Sequence, residues 1–170
     1  MIGRALAIGG IVGCVAALGW YLGSPLFIRT SANEAFPTVA PPVAAASSAS
    51  AVASAAPPVG TPATIASGHL GYVDALHNGT GTVVLVRAGD TVVLRFDAVA
   101  LTNAPDVHVY LSRDTGGKWS QAASVYLGPL KATNGSFNYT VPAEADLSSI
   151  KSVVVWCRQF SVLVTWADLR

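Results

Sequence analysis

In the segment Thr91-Val92-Val93-Leu94-Arg95-Phe96-Asp97, Val92, Leu94 and Phe96 fall on one side of an extended chain. Val107, Val109 and Leu111 repeat the pattern against His108, Tyr110 and Ser112, and Phe137, Tyr139 and Val141 alternate with Asn138 and Thr140. Successive side chains of a strand point to opposite faces, so period-two patterning marks strands with one buried face. Further strands are expected at 68–75, 80–87, 124–127, 152–157 and 160–166, separated by clusters of Gly, Asn, Asp and Pro. Arg87-Ala88-Gly89-Asp90 reads as a hairpin connection. Only residues 142–149 suggest a helical turn. Eight short strands without a long helix predict an all-β domain over residues 64–170, an antiparallel β-sandwich of about eight strands.

Upstream the character is different. From Ala5 to Ile28 there is no charged residue, with Arg4 and Arg29 at the borders. As a helix this run spans about 36 Å, enough to cross a hydrocarbon core of about 30 Å with some tilt. Trp20 and Tyr21 lie toward its distal end, where amphipathic rings favour the interface. Three readings compete for residues 1–29. The length of the run and the poor cleavage site at Ser31-Ala32-Asn33 favour an uncleaved signal anchor over a cleaved signal. Ile11-Val12-Gly13-Cys14 resembles a lipobox, but mostly apolar sequence follows the cysteine where polar sequence is usual. Arg4 and the α-amino group favour a cytoplasmic N-terminus, which puts the C-terminal domain outside the cytoplasm; Arg29 pulls the other way. Residues 30–63 are expected to be a disordered Ala/Pro/Ser-rich linker, whose prolines at 41–42 and 57–58 exclude a continuous helix.

Charge narrows the partners. Charged residues make up 11% of the chain and the formal net charge is +1. No basic stripe exists to track phosphates, which argues against nucleic acid. With the apolar excess lying upstream, the domain itself is expected to be monomeric.

Four ordered motifs occupy the domain: Asn103-Ala104-Pro105-Asp106-Val107-His108-Val109-Tyr110-Leu111-Ser112, Leu127-Gly128-Pro129-Leu130-Lys131, Asn138-Tyr139-Thr140-Val141-Pro142 and the strand ending Trp156-Cys157. With Ala167 and Leu169 near the C-terminus, they resemble the DM-thirteen family over roughly residues 69–169. Ala104 departs from the glycine that many members have before Pro-Asp. The resemblance implies a membrane-attached or secreted domain with an electron-transfer or redox role, a redox partner protein, and a signature cysteine corresponding to Cys157.

On the residues alone, Cys157 has no partner for a disulfide within its domain, because Cys14 lies in the apolar run. Such a cysteine is buried and inert, paired with another molecule, or chemically used. Trp156 and Arg158 flank it, and Arg158 would stabilise a thiolate if the two side chains converged. Neighbouring strand residues point to opposite faces, which argues against that convergence. His108 is expected on a solvated strand face with Asp106 and Tyr110. No histidine or methionine follows Cys157, so the blue-copper loop is missing, and C-x-x-C-H is absent. Non-covalent haem or another metal has no support from spacing, and the cofactor is left open. Hydrolytic constellations are not visible. Two functions remain: a membrane-anchored redox module centred on Cys157, with Arg158, Trp156, Asp106 and His108 in support, or a binding module in which that cysteine is packed.

Overall fold

The computed structural model describes residues 2–27, 29–38 and 61–170. Among them, helix α1 (Ile2–Phe27) precedes nine strands: β1 (Ser31–Asn33), β2 (Ala63–His69), β3 (Gly79–Ala88), β4 (Thr91–Leu101), β5 (Val107–Ser112), β6 (Val125–Pro129), β7 (Asn134–Thr140), β8 (Ser152–Cys157) and β9 (Val162–Asp168). They form two sheets, one in the order β1-β7-β4-β3-β2 and the other in the order β6-β5-β8-β9. All pairings are antiparallel except that of β1 with β7, which is parallel.

The alternating segments supply the core. Val92, Leu94 and Phe96 of β4 and Phe137 and Tyr139 of β7 are buried in one apolar cluster with Val107, Val109 and Leu111 of β5 and Val153, Val155 and Cys157 of β8. Phe96 stacks on Phe137 with ring centroids 5.0 Å apart and meets Tyr139 edge-on at 5.8 Å, the arrangements aromatic pairs prefer. Tyr139 adds a polar tie. Its hydroxyl donates to the Pro129 carbonyl at 3.0 Å and accepts from the Lys131 N–H at 2.9 Å. The hairpin expected at 87–90 joins β3 to β4, whose ladder begins at Ala88 and Thr91.

Three expectations need correction. The strand predicted at 68–75 is β2, which ends at His69. Beyond it the chain turns, because the Asp74 carboxylate accepts from the backbone N–H groups of Leu76 and His77, both at 2.7 Å. That leaves a single bridge, Tyr72 to Asn78.

The second correction concerns residues 30–63, whose first part is not a linker. Residues 31–33 form β1, pairing with residues 134–136 of β7. The Glu34 carboxylate accepts from the Asn138 N–H and forms an ion pair with Lys131, each at 2.9 Å. Arg95, nearly buried on the outer face of β4, donates to the carbonyls of Glu34 and Ala35 and lies under the Phe36 ring. Gly135 makes this approach feasible: it has φ +103, and a β-carbon there would collide with the Ala32 carbonyl. β1 and β2 are the two opposite edges of one sheet. Residues 39–60 of the expected linker lie outside the described residues.

The third concerns the membrane span. Residues 2–27 are helical, and Ile11, Val12, Val15, Leu18, Trp20 and Tyr21 are all exposed. Among the described residues no helix is long and apolar enough to cross a membrane, so the transmembrane assignment of residues 5–28 is not supported. Part of that span, including Ile28, lies outside the described residues.

Candidate functional site

Every residue of β5 is buried, on both faces. Val107, Val109 and Leu111 face the other sheet. His108 and Tyr110, expected on a solvated face, are 7% and 1% exposed. Tyr126 of β6 packs beside both rings, and Tyr110 is further covered by Trp119, from the loop between β5 and β6, and by the Arg158 side chain from the end of β8. The loop is pinned by Ser112 Oγ, which donates to the Lys118 carbonyl at 3.1 Å, and by Ser152 Oγ, which donates to the Asp114 carbonyl at 2.7 Å. Gly116 N–H adds a bond to the Asp168 carboxylate at 2.8 Å.

These side chains form a continuous file of rings. His108 and Tyr126 have centroids 5.6 Å apart, Tyr126 and Tyr110 5.3 Å, Tyr110 and Trp119 4.5 Å, and Trp119 and Trp156 4.9 Å. The Arg158 guanidinium sits 4.6 Å from the Tyr126 centroid and 5.6 Å from that of Tyr110, and its Nε donates to the Tyr110 hydroxyl at 2.7 Å. Such a cation over aromatic faces is attracted by the ring quadrupole.

The position of Tyr126 depends on a register shift. Val109 faces Gly128 across the β5–β6 ladder, but Tyr110 faces Tyr126, so Leu127 is the extra residue of a bulge. A one-residue slip exchanges the faces of a strand. Here it brings the Tyr126 ring beside Tyr110, while Leu127 packs against the core. Gly128 has φ +137, and the nearest atom to a β-carbon there would be 3.8 Å away. Backbone conformation rather than space therefore favours glycine at this position.

Asp106 and His108 form the polar end of the file. His108 Nε2 lies 2.6 Å from Asp106 Oδ1, and Nδ1 lies 2.9 Å from the Tyr126 hydroxyl. A carboxylate only accepts, so Nε2 carries the proton and a neutral ring presents Nδ1 as an acceptor to the phenol. Asp106 is itself in the left-handed region, φ +58, which aspartate tolerates better than most residues. Two bonds from the end of β8 hold that turn: the Cys157 thiol donates to the Pro105 carbonyl at 2.9 Å, and the Arg158 N–H donates to the Asp106 carbonyl at 3.0 Å.

The structure therefore brings Asp106, His108, Trp156 and Arg158 to one face of the four-stranded sheet. Cys157 is on the other, fully buried in the core. The convergence of Arg158 on the sulfur does not occur; adjacent residues of a strand diverge, and the guanidinium goes to the tyrosines. Trp119 and Tyr126 were not singled out by the sequence reading. No local motif marks them, and only the cross-strand register and the path of the 113–123 loop place them in the file. His69 and His77 stand apart, bonded to Thr82 and Asp74 respectively. Among the described residues no group of three or more His, Cys, Asp or Glu is placed to hold a metal ion.

The motifs noted in the sequence touch one another here: Pro105-Asp106 against Cys157-Arg158, and Pro129 and Lys131 against Tyr139. No curated protein and no solved structure matches the chain. A family model described as "Electron transfer DM13" matches residues 72–169, which is more than half of the chain and includes every residue of the ring file. The chain belongs to the DM13 electron-transfer family.

Proposed function

We propose that this protein is a membrane-attached electron-transfer module, working outside the cytoplasm, in which electrons move along the ring file of the four-stranded sheet. The observation that carries this reading is the unbroken contact from Trp156 through Trp119 and Tyr110 to Tyr126, all on one face. Tyrosine and tryptophan are the side chains whose π-systems most readily give up one electron, and rings in contact let the vacancy hop. Both ends of the file are accessible: Tyr126 is 44% exposed, and Trp156 is half-buried. A redox partner protein would exchange electrons at this surface.

In this reading Cys157 is not the redox centre. Its sulfur is sealed in the core, where a partner's disulfide or a metal cannot reach it without opening the sandwich. It acts as a brace for the Pro105–Asp106 turn.

Attachment to the membrane is supported by the uncharged run from Ala5 to Ile28 and by the exposed apolar side chains of α1. Exposed apolar side chains of this kind favour contact with an apolar surface. Only residues 28–30 separate α1 from β1, so a membrane surface bound by α1 would lie close to the sandwich.

Mapping of oxidised residues tests the proposal. The full-length protein in detergent is photo-oxidised briefly with a one-electron oxidant in the presence of a spin trap, and the adducts are located by mass spectrometry. The expected adducts are on Tyr126, Trp119 and Trp156. Exposure alone would instead direct them to Trp20, Tyr72 and Tyr21, which are 75%, 66% and 58% exposed. Adducts confined to those three residues would remove the basis of the proposal.

A further inference from the structure

The geometry points to Tyr126 as a proton-coupled redox tyrosine, whose phenolic proton passes to His108 Nδ1 as its electron leaves. This deepens the electron-transfer reading and rests on it. Oxidising a phenol without removing its proton produces a strongly acidic cation, so a base already bonded to the hydroxyl lowers the barrier. Of the four rings from Tyr126 to Trp156, Tyr126 has that base: His108 Nδ1 at 2.9 Å. Tyr110 is differently placed, because its hydroxyl accepts from Arg158 Nε. A hydroxyl that receives a bond from a guanidinium is held back from oxidation by the adjacent positive charge.

The base is prepared by its surroundings. Asp106, whose side chain is about half exposed, orients the imidazole through Nε2 and favours the imidazolium that forms. The 2.6 Å separation is that of a strong, charge-assisted bond once the ring is protonated. His108 is 7% exposed, so water competes little for Nδ1. The charged and titratable groups in contact with the phenol and imidazole include Asp106 from the turn before β5, Tyr110 from β5 and Arg158 from the end of β8, and Arg113, Glu144 and Asp146 line a cavity with Tyr126. Arg158 over the Tyr126 ring opposes the formation of positive charge there. That strengthens the requirement for the proton to leave, since the neutral phenoxyl radical adds no charge beneath the guanidinium.

The step balances as follows. A one-electron oxidant of high potential, such as an Fe(III) or Cu(II) centre of a partner, takes one electron from Tyr126. The O–H bond breaks and its proton binds His108 Nδ1, leaving a neutral phenoxyl radical beside an Asp106-paired imidazolium. Re-reduction is by one electron from a second, reduced centre of a partner, such as Fe(II) or Cu(I). That electron reaches Tyr126 through Trp156, Trp119 and Tyr110 and leaves the donor oxidised by one electron; the proton then returns from His108 Nδ1 to the phenol.

Flash photolysis with a ruthenium(III) polypyridyl oxidant tests this on the full-length protein in detergent, with electron paramagnetic resonance to identify the radical. The expected result is a tyrosyl radical that Tyr126→Phe abolishes and that forms more slowly in D2O. His108→Phe should slow it by about 10²-fold, the low end of what a positioned base contributes to a proton transfer. Asp106→Asn should slow it less, and thermal melts check that both variants stay folded. The measurement in D2O tests the proton coupling on the parent protein even if both of these variants unfold. A Tyr126 radical forming at equal rates in H2O and D2O would overturn the proton coupling and leave the electron-transfer reading standing. Absence of any radical on the ring file would overturn both.

Discussion

The Cys157 thiol donates a hydrogen bond to the Pro105 carbonyl at 2.9 Å, so the strand-ending Trp-Cys and the Pro-Asp turn are two halves of one contact. Fifty-two residues separate them in the chain. The sulfur faces the core, while the turn it holds presents Asp106 to His108 on the opposite face of the sheet. A core cysteine can thus shape the opposite face of the sheet through a single backbone contact.

If that is its role, Cys157 should be silent toward thiol reagents in the native protein. In a Cys14→Ser background, needed because Cys14 is exposed, labelling should begin only on unfolding. Cys157→Ala should cost about 1–3 kcal/mol, through lost packing and an unsatisfied Pro105 carbonyl. Denaturant melts would show the loss. Rapid native labelling would return Cys157 to the position of a reactive centre.

Gly128 is the second structural dependence of the ring file. Gly128→Val places a β-branched residue at φ +137, a strain on the order of 1–3 kcal/mol. The bulge is then expected to slip and Tyr126 to leave its place beside Tyr110. Loss of stability should therefore come with a changed tyrosine environment in near-ultraviolet circular dichroism. A variant as stable as the parent would mean that the bulge does not require glycine.

The sandwich was legible in the sequence where alternation was strong, as at Val92–Phe96 and Val107–Leu111. It was not legible at β1, because Ser-Ala-Asn carries no pattern and its pairing depends on Gly135 and on the contacts that the adjoining Glu34 makes with Arg95, Lys131 and Asn138, far away in sequence. The edge strand β2 reads Ala-Thr-Ile-Ala-Ser-Gly-His, too weakly alternating to fix its start. At the site, Cys157 and Arg158 were found by motif, but their adjacency suggested a contact that strand geometry prevents. His108 and Tyr110 were assigned to a solvated face because alternation cannot reveal that Tyr126 packs beside both rings or that a loop brings Trp119 onto Tyr110.

The docking of β1 should respond to acid. Burial alone would raise the Glu34 carboxyl, but the Lys131 hydrogen bond and ion pair and the bonds from Asn138 outweigh it and hold it below its ordinary value. A carboxylate depressed in the folded state contributes stability that is complete above its ordinary value of 4.5 and is lost as pH falls through the lower, folded one. Protection from hydrogen exchange at β1 and β7, corrected for the intrinsic pH dependence of exchange, should therefore fall as the pH drops below 4.5, and Glu34→Gln should show lower protection already at neutral pH. Protection unchanged by either would show that backbone pairing alone holds the strand.

Tyr139 sets the opposite limit. Burial, with a smaller contribution from Glu34, pushes its phenol far above the ordinary 10.0, despite the opposing Lys131 N–H. The unfolded chain therefore gives up this proton before the folded one, and the stability it contributes is present below pH 10 and declines as the pH rises beyond it. Alkaline unfolding followed by fluorescence should be less steep in Tyr139→Phe than in the parent. Equal slopes would mean that another group governs the alkaline limit.

The central claim is that electrons traverse the file from Trp156 to Tyr126, and Trp119 is its bridge. Time-resolved absorption after one-electron photo-oxidation distinguishes tryptophan from tyrosine radicals directly. The account predicts that a tryptophan radical decays as a Tyr126 radical grows in the parent protein, and that in a folded Trp119→Leu variant the tryptophan radical persists. Tyrosyl radical growing at the same rate in both would contradict it.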